Sequence, residues 1–193
     1  MSPPVILREV FHAYRTARGV EDDGYVFDDD GAVLGRLDVL VFRPADERGL
    51  TSFATIGMAA RELPAEPGPG GGGRAELQFS RRGRLDREDE YAVAVALANL
   101  AAHPFVTGQQ LNWGHQIGLG TEFPTFPGCG AVFLSGPLTN VEDGYIRTTE
   151  GAVRLVTVVP ITEAERSLGR TLGPIAFAQR LLDEVDVYAE RPA

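Results

Sequence analysis

The run Arg36-Leu37-Asp38-Val39-Leu40-Val41-Phe42-Arg43 sets the first constraint on the fold. Side chains alternate across a strand, so Leu37, Val39 and Val41 share one face, while Leu40 and Phe42 share the other with Asp38. A strand apolar on both faces is expected to be buried on both faces. Residues 51–56 read as its antiparallel neighbour, and 74–79, 131–135 and 152–159 as further strands. A turn region at 140–144 separates the last two. Tyr25-Val26-Phe27 and Ala32-Val33-Leu34 flank Asp28-Asp29-Asp30-Gly31, a hairpin signal because Asp and Gly tolerate positive φ.

Helices are spaced between these strands. Val5, Ile6, Val10, Phe11, Ala13, Tyr14 and Ala17 recur at steps of three and four, giving an amphipathic helix over 5–18 that starts after Pro3-Pro4 and stops at Gly19. Residues 88–103 form a helix apolar nearly all round, ended by Pro104. Thr162 with Glu165 three residues on is a capping box, opening a helix that ends near Gly169. Pro174, in a first-turn position, opens a last helix to about Val185, with Ile175, Phe177, Ala178, Leu181 and Leu182 facing inward. The order of elements defines an α+β fold: a mixed, largely antiparallel sheet with helices packed against it, in one domain over residues 1–193. The Pro/Gly stretch 64–73 reads as a flexible loop.

Composition narrows the function classes. Hydrophobic residues make up 44% of the 193, enough for a real core. Cys129 stands alone, which forbids an intrachain disulfide and fits a reducing cytosol. The N-terminal residues lack the basic start and apolar run of a signal peptide, and no apolar run approaches the ~18 residues of a membrane helix. The expected location is the cytoplasm. All 18 basic residues are arginine, and the net charge is −9. That sign repels phosphate backbones, so no nucleic-acid partner is expected, while a basic protein would be steered toward the chain.

Catalytic and metal motifs do not assemble. Gly68 to Arg74 has no Gly-Lys-Ser/Thr and no following helix, so it is a linker and not a phosphate cradle. Asp28 to Gly31 cannot be a calcium loop, because Val26 and Leu37 would fall at its first and twelfth positions. His103, His115 and Cys129 lack paired zinc spacing, His12 adds no close partner, and Ser135-Gly136-Pro137 lacks a nucleophile-elbow context. Neither cofactor nor metal is expected. His103, before Pro104 at a helix end, is placed to bond the last carbonyls.

One cluster keeps functional interest. Trp113 and His115, in Asn112-Trp113-Gly114-His115, and Phe123 and Phe126, in Phe123-Pro124-Thr125-Phe126, fall in loops. Loop aromatics offer large contact area at low entropic cost, which makes these four candidate partner-binding residues. The alternative is that they plug the edge of the core. A second alternative is an enzyme using the His115/Cys129 region.

Two runs carry a family resemblance. Thr55-Ile56-Gly57-Met58 follows the strand containing Asp38, and far downstream comes Val158-Val159-Pro160-Ile161-Thr162-Glu163-Ala164-Glu165. Together they resemble the suppressor of fused (SUFU) domain family, over about residues 20–190, in its bacterial single-domain form. Asp38, Thr55, Gly57, Met58, Pro160 and Glu165 match the family motif, Gly169 lies in the stretch after it, and the helix with Leu97, Ala98 and Pro104 resembles a family feature. Ala59 stands where the family often has serine. These positions read as structural, Gly57 allowing close backbone approach and Met58 packing in the core. The resemblance implies a non-enzymatic protein-binding domain, most concretely an immunity protein neutralising a cognate toxin encoded nearby, and the net charge of −9 suits a basic toxin. A regulatory adaptor that sequesters another cytosolic protein is the alternative.

Overall fold

The computed structural model describes residues 3–28, 33–65, 72–139 and 143–192. Among these residues eight strands join one sheet. They are β1 (Asp23–Asp28), β2 (Arg36–Phe42), β3 (Leu50–Ile56), β4 (Arg74–Arg82), β5 (Gln116–Gly118), β6 (Ala131–Ser135), β7 (Tyr145–Thr148) and β8 (Gly151–Ile161). The strand order is β1-β2-β3-β4-β8-β6-β5, with β7 also pairing β8. β4 and β8 run parallel; the other adjacent pairs among the described residues are antiparallel. The expected α+β class with a mixed, largely antiparallel sheet is what the chain adopts.

Helices cover both faces. α2 (Arg87–Thr107) lies on one face, where Val93, Leu97 and Leu100 meet Val39, Phe53, Leu77, Phe79, Val156 and Leu134. On the other face α1 (Val5–Arg18) inserts Ile6, Val10 and Tyr14 against Leu40, Phe42, Ala54, Ile56 and Ile146. The same face receives α4 (Pro174–Glu184), where Phe177 and Leu181 pack on Phe133, Val159 and Ile161. The parity of β8 makes this division explicit. Val156 and Val158 point to α2, whereas Val153, Val159 and Ile161 point to α1 and α4. Residues 36–42 are thus covered on both sides, which is why their two faces are apolar.

Helix ends follow local chemistry. The Thr162 hydroxyl accepts from Glu165 N at 3.2 Å and the Glu165 carboxylate accepts from Thr162 N at 2.7 Å, opening α3 (Glu163–Leu172) with a full capping box. Asp86 caps α2 by accepting from Asp89 N, and Glu88, Asp89 and Glu90 complement the dipole of its first turn.

Several expected boundaries shift. Pro104 does not end α2; the helix runs one turn further and stops at Gly108 in the left-handed region, φ 72°. Pro104 is buried, so core contact compensates for the backbone donor that proline lacks at this point. His103 accordingly lies inside the helix, and its ring pairs with Gln109 at 3.1 Å. α3 continues past Gly169 to Leu172. On α4, Ile175 and Leu182 are exposed rather than inward, because Phe177 and Leu181, with Ala178 beside them, form the face that meets the sheet. The partner of β1 is β2, beginning at Arg36, and not 32–34; Asp28 faces Arg36 across the pair. The turn at 29–32, residues 66–71 of the 64–73 loop, and 140–142 lie outside the described residues. No helix among the described residues is long and apolar enough to cross a membrane.

Candidate interaction site

A groove of about 610 Å³ lies between α1 and the β7–β8 hairpin. Each wall has a local cause. The steps of four in α1 that bury Val10 and Tyr14 bring Arg18 to the same helix edge. β4 contributes Gln78, which by strand alternation faces away from α2. β7 contributes Tyr145 and Arg147.

A hydrogen-bonded chain lines this recess. Arg18 donates to the Gln78 carbonyl at 2.7 Å, and the Gln78 amide donates to Thr157 Oγ1 at 3.0 Å. Tyr14 is buried, and its hydroxyl finds no hydrogen-bond partner among the described residues. Burial raises the Tyr14 phenol well above its ordinary pKa, and the neighbouring Glu76 adds to the rise while Arg18 opposes it. At the rim, the Tyr145 side chain is 42% exposed.

Trp113 stands behind that rim. Its indole N–H donates to Leu155 O at 2.9 Å, and its ring meets Tyr145 edge-on at 5.3 Å. A Cβ on Gly144 would lie 2.8 Å from the indole, so a glycine there lets the ring approach. Of the four loop aromatics singled out from the sequence, Trp113 is thus half-buried and supports an exposed tyrosine. His115 is also half-buried, but it belongs elsewhere: its Nδ1–H donates to Gln110 O at 3.1 Å beside a separate polar recess with Gln109. Phe123 and Phe126 correct the expectation of an exposed aromatic cluster. Both are wholly buried against Phe79, at ring separations of 5.0 and 5.9 Å, and give a partner no surface. They plug the core.

The motif residues gather under α1 around a group that the sequence did not single out. Glu76, fully buried in β4, accepts from Thr55 Oγ1 at 2.7 Å, Gly57 N at 2.8 Å and Ala59 N at 3.0 Å. Thr55 Oγ1 in turn accepts from Leu77 N at 2.8 Å, taking over a ladder donor where β3 and β4 part. Burial pushes the Glu76 carboxyl up to about 7, against the pull of these donors. Gly57 has φ 150°, and a Cβ there would sit 2.7 Å from Arg36 O; Met58 beside it is fully buried. Strand alternation makes Glu76 look solvent-facing in the sequence Ala75-Glu76-Leu77-Gln78-Phe79; the covering helix α1 makes it interior.

The remaining motif positions are distributed. Asp38 forms a two-pronged pair with Arg36 at 2.8 and 3.0 Å on the partly exposed edge of β2. Pro160 lies in β8 opposite Val132, and its carbonyl accepts from Arg191 at 2.8 Å. Glu165, besides capping α3, accepts from Arg191 Nε at 2.8 Å.

No group of three or more His, Cys, Asp or Glu side chains able to hold a metal occurs among the described residues. Cys129 is buried, and burial pushes its thiol up to about 11, so it is protonated near neutral pH.

With this geometry in view, comparison with known proteins places the chain. A sequence model described as suppressor of fused protein (SUFU) matches residues 35–189, and the chain belongs to that family. No protein with a curated description matches it. The fold is similar to a SUFU homologue from Neisseria gonorrhoeae, with TM-score 0.72 and 17% identity over 96% of this chain and 94% of that one. It is similar to a chain of the Sufu–Fu complex, with TM-score 0.65 and 13% identity over 98% and 88%. It is also similar to Drosophila Suppressor of Fused, with TM-score 0.66 and 13% identity, covering 96% of this chain but 48% of that one. At these identities the likeness is one of fold.

Proposed function

We propose that this chain is a non-enzymatic protein-binding domain, and most concretely an immunity protein that neutralises a cognate toxin in the cytoplasm by covering its surface. The observation that carries the reading is the groove between α1 and β7–β8, with Tyr145 exposed at its rim and Trp113 fixed behind it. A rigidly backed tyrosine beside a recess is the kind of anchor that protein interfaces use. Family membership supports it, since one structural neighbour was solved as a Sufu–Fu complex. The net charge of −9 would speed the approach of a basic toxin.

The test is a toxicity rescue. Each gene adjacent to this one is expressed in a test bacterium with and without the chain, and survivors are counted. A neighbour that kills, and whose killing this chain relieves, supports the immunity reading; no toxic neighbour sinks it. The Sufu–Fu complex favours a second reading, a regulatory adaptor that sequesters a cytosolic protein. Recovery of one stoichiometric, non-toxic partner from native lysate would select it.

A further inference from the structure

We infer that the α1/β7–β8 groove binds an acidic side chain presented by a segment of the partner protein. The inference rests on the protein-binding reading above and names the chemistry that the groove would recognise.

Two arginines, Arg18 and Arg147, line the recess, and neither forms an ion pair with another described residue. Acids outnumber arginines 27 to 18 in this chain, and other arginines, among them Arg43, Arg81 and Arg82, are paired with carboxylates. Arg18 is half-buried and bonded to a neutral amide, a costlier setting for an unpaired charge than open water. An acceptor brought by a ligand would pair that charge.

Opposing charges are few. Asp143 lines the groove, and its Oδ1 is occupied in accepting Tyr145 N at 3.1 Å. Glu76 lies beneath Tyr14, where its oxygens are held by Thr55, Gly57 and Ala59. A carboxylate entering beside Tyr145 would therefore face the guanidiniums of Arg18 and Arg147, and its stem would lie on the Tyr145 ring. This local preference is opposite in sign to the whole chain. A partner with a basic surface would be drawn in at long range and then held by one acidic residue at the groove.

The sole tryptophan, Trp113, touches Tyr145 and reports on the site. The probe is an acetylated, amidated tetra-glutamate peptide titrated at low salt against the full chain, with tetra-lysine as control. The expected result is a saturable change in tryptophan fluorescence with the glutamate peptide and none with the lysine peptide. Arg147→Gln, at an exposed position that does not threaten folding, should weaken the response roughly tenfold, the effect of about one charge-assisted hydrogen bond. The Arg18→Gln, Arg147→Gln double variant should abolish it. No response, an equal response to tetra-lysine, or an undiminished response in Arg147→Gln would overturn the inference. The rescue assay fails or succeeds separately. A double variant that still rescues would move the toxin's docking site off this groove while leaving the immunity reading intact.

Discussion

Glu76 accepts a hydrogen bond from Thr55 Oγ1 at 2.7 Å, inside a sheet face that α1 seals from water. The same hydroxyl accepts Leu77 N, so this pair ends the β3–β4 ladder and turns the chain into the Gly57-Met58 segment. Thr55, Gly57 and Met58 lie in the run that carries the resemblance in the sequence, and in the structure they are the part of the chain that wraps a buried carboxylate. Ionising a carboxyl buried this way costs stability, and that cost is measurable.

The Glu76 carboxyl has its pKa raised from 4.5 to about 7, so between those values the folded state holds a proton that the unfolded state gives up. Its stabilising contribution is full below about pH 4.5 and is lost as pH rises through 7. From the size of the shift, the loss is roughly 3 kcal/mol. Urea unfolding of the wild type and of Glu76→Gln at pH 5 and pH 8 isolates this group. Asp23 and Glu21 are held below their ordinary range by Arg43 and Arg15 and titrate outside the window. The wild type should lose stability relative to Glu76→Gln as pH rises; parallel curves for the two proteins would refute the assignment.

Gly57 should not accept a side chain. Its φ of 150° is a conformation that L residues avoid, and a Cβ would lie 2.7 Å from Arg36 O and 2.9 Å from the Leu37 side chain. Gly57→Ala should cost about 2–4 kcal/mol and shift thermal unfolding down, because relief would require β2 to move away from Glu76's donors. Gly19, also at positive φ but with open space around it, is the control, and Gly19→Ala should cost clearly less.

Trp113→Phe would keep an aromatic ring against Tyr145 and delete the indole donor to Leu155 O. About 1 kcal/mol of stability should be lost. Trp113→Ala should cost about 3–5 kcal/mol and leave Tyr145 without its backing ring. If partner binding uses this rim, calorimetric affinity should fall far more for the alanine variant than for the phenylalanine one, at temperatures where both remain folded.

What could be read in the sequence depended on how local its cause was. The Thr162/Glu165 box needs three residues and is formed as expected, and residues 36–42 carry their two-sided burial in their own alternation. β5 and β7 escaped because strands of three and four residues owe their existence to pairing with β6 and β8. Phe123 and Phe126 sit among Gly and Pro residues that signal an exposed loop, yet Phe79, more than forty positions upstream, draws them inward. Glu76 was hidden for the converse reason: its alternating neighbours suggest a solvated face, and only the docking of α1 reveals a buried one. The groove at Tyr145 depends on α1, β4 and β7 meeting, which no local pattern specifies.

Arg191 ties the C-terminal stretch to the motif around Pro160. Its guanidinium donates to Glu165 Oε1 and Pro160 O, both at 2.8 Å, and to Ala189 O at 3.1 Å, while its side chain is 8% exposed. One planar fork thus serves a helix cap and two carbonyls. Arg191→Ala would leave the half-buried Glu165 carboxylate with its backbone donor alone and free the segment that also pairs Tyr188 O with Arg82 N. The expected loss is about 2–3 kcal/mol, from one charge-assisted bond and two carbonyl partners. Arg191→Lys should restore less than half of it, because an ammonium cannot span three acceptors in that fixed geometry. Urea midpoints of the three proteins decide the matter. Full recovery by lysine would mean that charge alone holds the tail, and that the fork geometry contributes nothing.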